Sequence, residues 1–259
     1  MATITLNGHP TWARLPKKKG PLALLLHGGM SSSRSLLHSI GPGLSKSFQV
    51  AAFDRRGHGR TADTEDAFHY DDMATETIAF LEYLGRRSHL IGHSDGGIIA
   101  LIVALRRPDL VKRVVAIGAN YHFNGLVATQ EFTSESEGYE QWAEKYASMS
   151  PDGRAHAEVV LNKTMAMFAS EPTLDTHQLS LITRPVLVMS GDDDLVTLEH
   201  TCSLYRALPD AQLAVIPGTS HAVLKERTRE SVRIMRHFLE SELPVTTFMP
   251  VRRALVLEE

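Results

Sequence analysis

Six short apolar runs punctuate the chain: Pro21 to Leu26 (PLALLL), Phe48 to Phe53 (FQVAAF), Ser88 to Gly92 (SHLIG), Val111 to Gly118 (VKRVVAIG), Pro185 to Ser190 (PVLVMS) and Gln212 to Pro217 (QLAVIP). Runs of this length that do not alternate with polar residues predict strands buried on both faces, as in a parallel sheet covered by helices. Ahead of them, Thr3 to Leu6 and Thr11 to Leu15 flank Asn7-Gly8, a pair that favours a type I′ turn, and together they predict an opening hairpin.

Helical periodicity falls between the runs. Asp71 to Leu84 puts Met73, Thr77, Ile78, Leu81 and Leu84 on one stripe, with aspartates at its start where they complement the helix dipole. Gly96 to Leu105 (GGIIALIVAL) is apolar all round and predicts a buried central helix, stopped by RRPD. Val232, Met235 and Leu239 mark an amphipathic helix near the C-terminus. Alternation of strand and helix predicts an α/β doubly wound, mostly parallel sheet. From Tyr121 to Thr183 the alternation stops. Tyr139, Trp142, Ala143 and Tyr146 share one helical face there, and Val160, Thr164, Met167 and Phe168 another. The predicted organisation is therefore a core of residues 1–120 and 184–243, a helical cap inserted at 121–183, and a tail at 244–259.

Composition narrows the function. With 43% hydrophobic residues over 259 positions the chain can bury a sizeable core. A formal charge of −3, with basic pairs scattered at Arg55/Arg56, Arg86/Arg87 and Arg106/Arg107, gives no support to nucleic-acid binding. The first residues, MATITLNGHP, carry no signal-like segment, and no apolar run approaches the ~20 residues that span a bilayer. A cytoplasmic protein without membrane contact is the expectation. The single Cys202 cannot form an internal disulfide and is expected as a buried apolar residue on a helix.

Gly92-His93-Ser94-Asp95-Gly96 fits G-x-S-x-G, and its setting matters more than the pattern. It follows a predicted strand and opens the buried helix, the strand, sharp turn and helix that hold a serine exposed with helix amides aimed at the reaction site. Serine needs a base, and the base an orienting partner. VLVMSGDDDLV ends one later strand in three acids, and VIPGTSHAV ends the next in His221, which gives the chain order Ser, acid, His. His27 and His58 sit in glycine-rich turns and are expected to be structural, and His93 to pack beside the serine turn. Three acids without a partner cluster at metal-site spacing predict no metal.

On these residues the sequence resembles the α/β-hydrolase superfamily, serine esterase type. LLLHGGM looks like that family's His-Gly oxyanion loop, FDRRGHGRT resembles its D-x-R-G-x-G-x-[ST] segment, and GDDDLV resembles its G-x-x-D-x-V acid loop, which selects Asp194 over Asp192 and Asp193. More narrowly, GHSDGGIIALIVALRRPDLVKRVVAIGAN is similar to the biphenyl hydrolase-like group, which includes the valacyclovir-cleaving enzymes. The resemblance implies a cofactor-independent hydrolase acting on a small-molecule ester. Ser94 is then the nucleophile, His221 the general base and Asp194 its orienting acid, while the backbone amides of Gly29 and Asp95 bind the oxyanion. Lactone, thioester, amide and carbon–carbon bond hydrolysis fit the same three residues, as does a slow-turnover small-molecule receptor on the same fold.

Asp95 is the odd residue. A unit negative charge about 7 Å from an oxyanion costs on the order of 2 kcal/mol at an effective dielectric near 20. Either the carboxylate bonds free amides or an arginine such as Arg55 or Arg56, or it binds a cationic substrate group, as the narrower resemblance implies for the α-amino group of aminoacyl esters.

Overall fold

The computed structural model describes residues 2–17, 19–127 and 132–241. Its strands are β1 (Ala2–Leu6), β2 (His9–Arg14), β3 (Leu22–Leu26), β4 (Gln49–Phe53), β5 (Ser88–His93), β6 (Val111–Ile117), β7 (Val186–Asp193) and β8 (Ala211–Ser220). They form one eight-stranded sheet in the order β1-β2-β4-β3-β5-β6-β7-β8. β2 pairs antiparallel with β1 and β4, and every pairing from β4 onward is parallel. The opening hairpin turns at Asn7 (φ 48°) and Gly8 (φ 82°), the two left-handed residues that a type I′ turn requires. The later strands match the six apolar runs.

Those runs are continuous because both sheet faces are covered. In β3, Leu22, Leu24 and Leu26 belong to one core and Ala23 and Leu25 to the other, and β6 divides likewise into Val114 and Ala116 against Val115 and Ile117. On the first face lie α3 (Tyr70–Leu84), α4 (Asp95–Arg106) and α8 (Leu198–Ala207). The second is covered by α1 (Ser33–Ser39), α2 (Gly41–Leu44), α9 (Val223–Glu226) and α10 (Thr228–Glu240). Cys202 sits on α8 as expected but is half-buried, because the buried stripe of that helix falls on Thr201 and Leu204.

Between β6 and β7 come α5 (Tyr139–Ala147), α6 (Ala157–Phe168) and α7 (Thr176–Ser180). The described residues of this interval hold no strand, only two isolated bridges, His122 with Thr173 and Leu126 with Val196. Both predicted faces pack inward: Tyr139, Ala143 and Tyr146 are buried, as are Val160, Thr164 and Met167. The predicted tail lies outside the described residues.

Candidate active site

Six chain reversals meet at the carboxyl edge of the parallel strands, where an open α/β sheet forms its crevice. Ser94 follows β5 directly and has φ 55°, a left-handed value for a residue with a side chain. The turn is held by the Ser94 amide donating to the Ile117 carbonyl (2.8 Å) and the Gly97 amide donating to the Ser94 carbonyl (2.7 Å). Its glycines are obligatory for close approach. A Cβ on Gly92 would stand 2.0 Å from the Gly96 carbonyl oxygen, and one on Gly96 would stand 2.0 Å from that of Leu26.

Of the three consecutive aspartates, Asp194 meets His221, with Nδ1 and Oδ1 2.6 Å apart. The Asp194 carboxylate also accepts the amides of Val196 (3.2 Å) and Gly191 (3.4 Å). Burial alone raises its pKa, but the hydrogen bond to His221, followed by these amides, holds it below the ordinary carboxylate value. The His221 carbonyl is in turn held by His93 Nε2 at 2.8 Å. Burial, followed by the charge of His221, lowers the His93 pKa to about 4, so the ring is a neutral donor beside the serine turn. Ser94 and His221 line the same two cavities, and no hydrogen bond joins their side chains among the described residues. Catalytic contacts of this kind often tighten only when substrate is bound.

Gly29 and Asp95 face each other. A Cβ on Gly29 would lie 2.6 Å from Asp95 Oδ2 and 2.8 Å from Phe168 Cζ. Asp95 is 1% exposed. The Tyr70 hydroxyl donates to its Oδ1 at 3.1 Å, and Arg55 Nη2 lies 3.9 Å from Oδ2 in a buried ion pair. Burial pushes the Asp95 carboxyl up, opposed first by Arg55 and then by Tyr70. Oδ2 has no hydrogen-bond partner. Tyr70 was invisible to the sequence pattern, since it precedes the predicted start of its helix and lies 25 positions before Asp95.

The predicted structural histidines are buried. The Arg55 amide donates to His27 Nε2 (3.3 Å), which leaves Nδ1–H to donate to the Gly28 carbonyl (2.8 Å). Burial, then the charge of Arg55, holds His27 well below its ordinary pKa, and the same two causes bring His58 to about 3.

Two cavities open from Ser94 and share Met30, Ser94, Leu195 and His221. The larger, about 820 Å³, runs under the helical interval between walls of Phe123, Met165, Phe168 and Val196, with Asn120 and Glu171 among its polar lining. The smaller is about 500 Å³ and reaches Ser31, Lys145 and Lys225. Trp142 Nε1 donates to the Met30 carbonyl (2.8 Å), so a helix of the interval holds the loop after β3. The described residues contain no group of three or more His, Cys, Asp or Glu that could hold a metal, and no helix among them is long and apolar enough to cross a membrane.

A parallel sheet with a serine on a strained strand-to-helix turn, and an aspartate–histidine pair on the two later strand ends, defines the class of α/β hydrolases. Residues 23–234 match the model of the alpha/beta hydrolase family, and the chain belongs to it. It is similar to 2-(acetamidomethylene)succinate hydrolase of Mesorhizobium japonicum, 26% identical over 251 residues that cover 87% of this chain and 90% of that protein. It is also similar to putative carbamate hydrolase RutD of Pseudomonas savastanoi, 29% identical over 226 residues, 78% of this chain and 87% of that one. Among solved structures, the enol-lactonase of Burkholderia xenovorans matches with a TM-score of 0.75 at 20% identity, over 93% of this chain and 100% of that one. At that identity the match speaks for the fold alone.

Proposed function

We propose that this hydrolase cleaves carboxylic esters with an uncharged acyl group, through an acyl-enzyme on Ser94. The observation that carries this is the strained Ser94 at the mouth of an 820 Å³, largely apolar cavity that also receives the His221 ring, itself paired with Asp194 at 2.6 Å. Ser94 Oγ attacks the acyl carbon while His221 Nε2 takes its proton. Asp194 holds the imidazole in the tautomer that leaves Nε2 free, and stabilises the imidazolium. The amides of Asp95 and Gly29 donate to the oxyanion. His221 then protonates the departing alcohol, and water attacks the acyl-enzyme by the same route to release the acid and restore Ser94. Residues 121–183 act as a cap that shapes the acyl cavity.

The engagement of Asp95 by Arg55 and Tyr70 argues for an uncharged acyl group over an aminoacyl one. An amine would have to compete with a buried guanidinium already facing the same oxygen.

The test is turnover of p-nitrophenyl esters with acyl chains of two to eight carbons, set beside an aminoacyl ester with the same leaving group. Simple esters should be hydrolysed with a p-nitrophenol burst, faster than the aminoacyl ester, and Ser94→Ala should lose both burst and turnover. A wild type silent on the whole panel, or a Ser94→Ala protein of undiminished rate, rejects the proposal. Faster cleavage of the aminoacyl ester would return Asp95 to amine binding.

A further inference from the structure

Arg55 stands out among the buried groups to which the proposed mechanism assigns no step. It is 1% exposed, at the start of the loop after β4, and its guanidinium spans the two chain segments that carry the proposed oxyanion donors. On one side Nη1 donates to the His27 carbonyl and Nη2 to the Gly28 carbonyl (3.2 Å). On the other, Nη2 faces Asp95 Oδ2 at 3.9 Å. Asp95 is equally buried, at 1% exposed, and the Arg55 Nε has no hydrogen-bond partner.

The geometry of the peptide unit gives these contacts a consequence. A trans peptide is planar, so its C=O and N–H point in opposite directions. The Gly28 carbonyl is drawn back by two donors, Arg55 Nη2 and His27 Nδ1–H, and the amide of the same peptide unit, that of Gly29, must therefore point away from Arg55. Gly28 and Gly29 both line a cavity that opens at Ser94. The second donor is the Asp95 amide at the first position of α4, and Asp95 carries the carboxylate that Arg55 faces. One fixed cation thus orients the first donor through its carbonyl and offsets the negative charge that accompanies the second.

We infer that Arg55 is a positioning residue for this hydrolase: it aims the Gly29 amide at the oxyanion and neutralises the Asp95 side chain beside it. The inference rests on the serine-hydrolase proposal above. It accounts for a carboxylate directly after the nucleophile without any cationic substrate. Lysine cannot replace Arg55, because a point charge on a flexible stem cannot serve two carbonyls and a carboxylate with a planar fork.

Preorganised oxyanion donors act in the transition state, so the loss belongs in kcat and in the affinity for a tetrahedral mimic, with KM left alone. The experiment compares wild type, Arg55→Lys, Arg55→Met and Arg55→Met/Asp95→Asn for p-nitrophenyl ester kinetics, inhibition by phenylboronic acid and Tm. Arg55→Met should lose roughly ten- to a hundredfold in kcat, as for removal of an oxyanion donor, with KM within about twofold and a parallel rise in the boronate Ki. Arg55→Lys, which keeps the charge, should lose about three- to tenfold in the same two quantities. The double variant should recover part of the Arg55→Met loss, because the uncompensated carboxylate is gone.

Arg55→Lys with wild-type kcat and boronate affinity overturns the inference even if Arg55→Met does not fold. So does a loss confined to KM or to Tm. A wild type that neither cleaves esters nor binds boronate overturns the hydrolase proposal and this inference with it.

Discussion

Three adjacent aspartates of one type hold three different posts, and the difference is purely one of direction. Asp192 Oδ1 accepts the Thr219 amide (3.0 Å) and ties the acid loop to the strand beside it. Asp193 is exposed at the rim of the smaller cavity. Asp194 alone turns inward to His221. Asp194→Asn preserves shape but offers an amide N–H to Nδ1, which favours the tautomer with Nε2 protonated and so removes the base. The carboxylate of the serine-protease triad, for which the same change costs about 10⁴ in kcat, sets the expected scale. Ester kinetics should show a fall of 10² to 10⁴ in kcat for Asp194→Asn and less than about threefold for Asp193→Asn; equal effects would move the acid elsewhere. At this scale Ser94 and His221 were legible because turn chemistry is local and their loops end apolar runs. Of the neighbours of Asp95, Arg55 was one of the two arginines the sequence offered as its partner, and the strand order β4-β3-β5 brings it there, whereas Tyr70 was not legible, since it reaches Asp95 only through the docking of α3.

Elements were legible in proportion to their length and periodicity. α3 and α10 carry apolar stripes and α4 is a ten-residue apolar block, whereas α1 has seven residues and α2 four, too few for a period of 3.6 to declare itself. What periodicity never reports is the join between elements, and the helical interval is joined to the core by polar groups. Lys163 of α6 donates to Asp63 Oδ2 (2.7 Å) and to the Thr64 carbonyl (2.6 Å), and His156 meets the same carboxylate at 2.9 Å. The Asp63 side chain is 1% exposed and Lys163 16%, so this pair is not a surface one. Removing one partner of a buried pair leaves the other uncompensated, at a cost on the order of 3 kcal/mol. His156 remains to share it, so Lys163→Met should lower Tm by about 4 to 10 °C, given roughly 2 to 4 °C per kcal/mol for a chain of this size. Because α6 also supplies Met165 and Phe168 to the cavity, KM for long-chain esters should rise more than KM for acetate. An unchanged Tm in calorimetry would mean the interval is held by its apolar contacts alone.

For the molecule as a whole, the buried histidines are the groups expected to weaken the fold in acid. Thirteen are present, and burial as the leading cause holds several neutral far below the ordinary value: His58 to about 3, His89 and His93 to about 4, with His27 also well down. The unfolded chain takes up protons at these positions near pH 6.5 while the folded chain refuses them, so protons favour unfolding. The histidine contribution is therefore expected to be fully present above about pH 6.5 and to be lost as pH drops from there toward 4, at about 1.4 kcal/mol per pH unit for each histidine that is protonated only on unfolding. His69, raised by its hydrogen bond to Glu171, works in the opposite sense but is half exposed, which screens it, and the carboxyls of Glu76 and Asp95, both pushed up by burial, also oppose the histidines. Asp63 and Asp194 are lowered and lose their contribution only below pH 3.8, outside this window. His89 isolates one proton of the effect, since it is 6% exposed, packs edge-on against Phe48 and leaves Nδ1 unpaired. Urea midpoints at half-unit steps from pH 8 to 4 should be flat to about 6.5 and then descend, and His89→Phe should descend less steeply by about one proton. Parallel slopes for the two proteins would show that His89 is protonated as readily folded as unfolded, and a wild-type midpoint independent of pH down to 4 would remove the histidines as a source of weakening in acid.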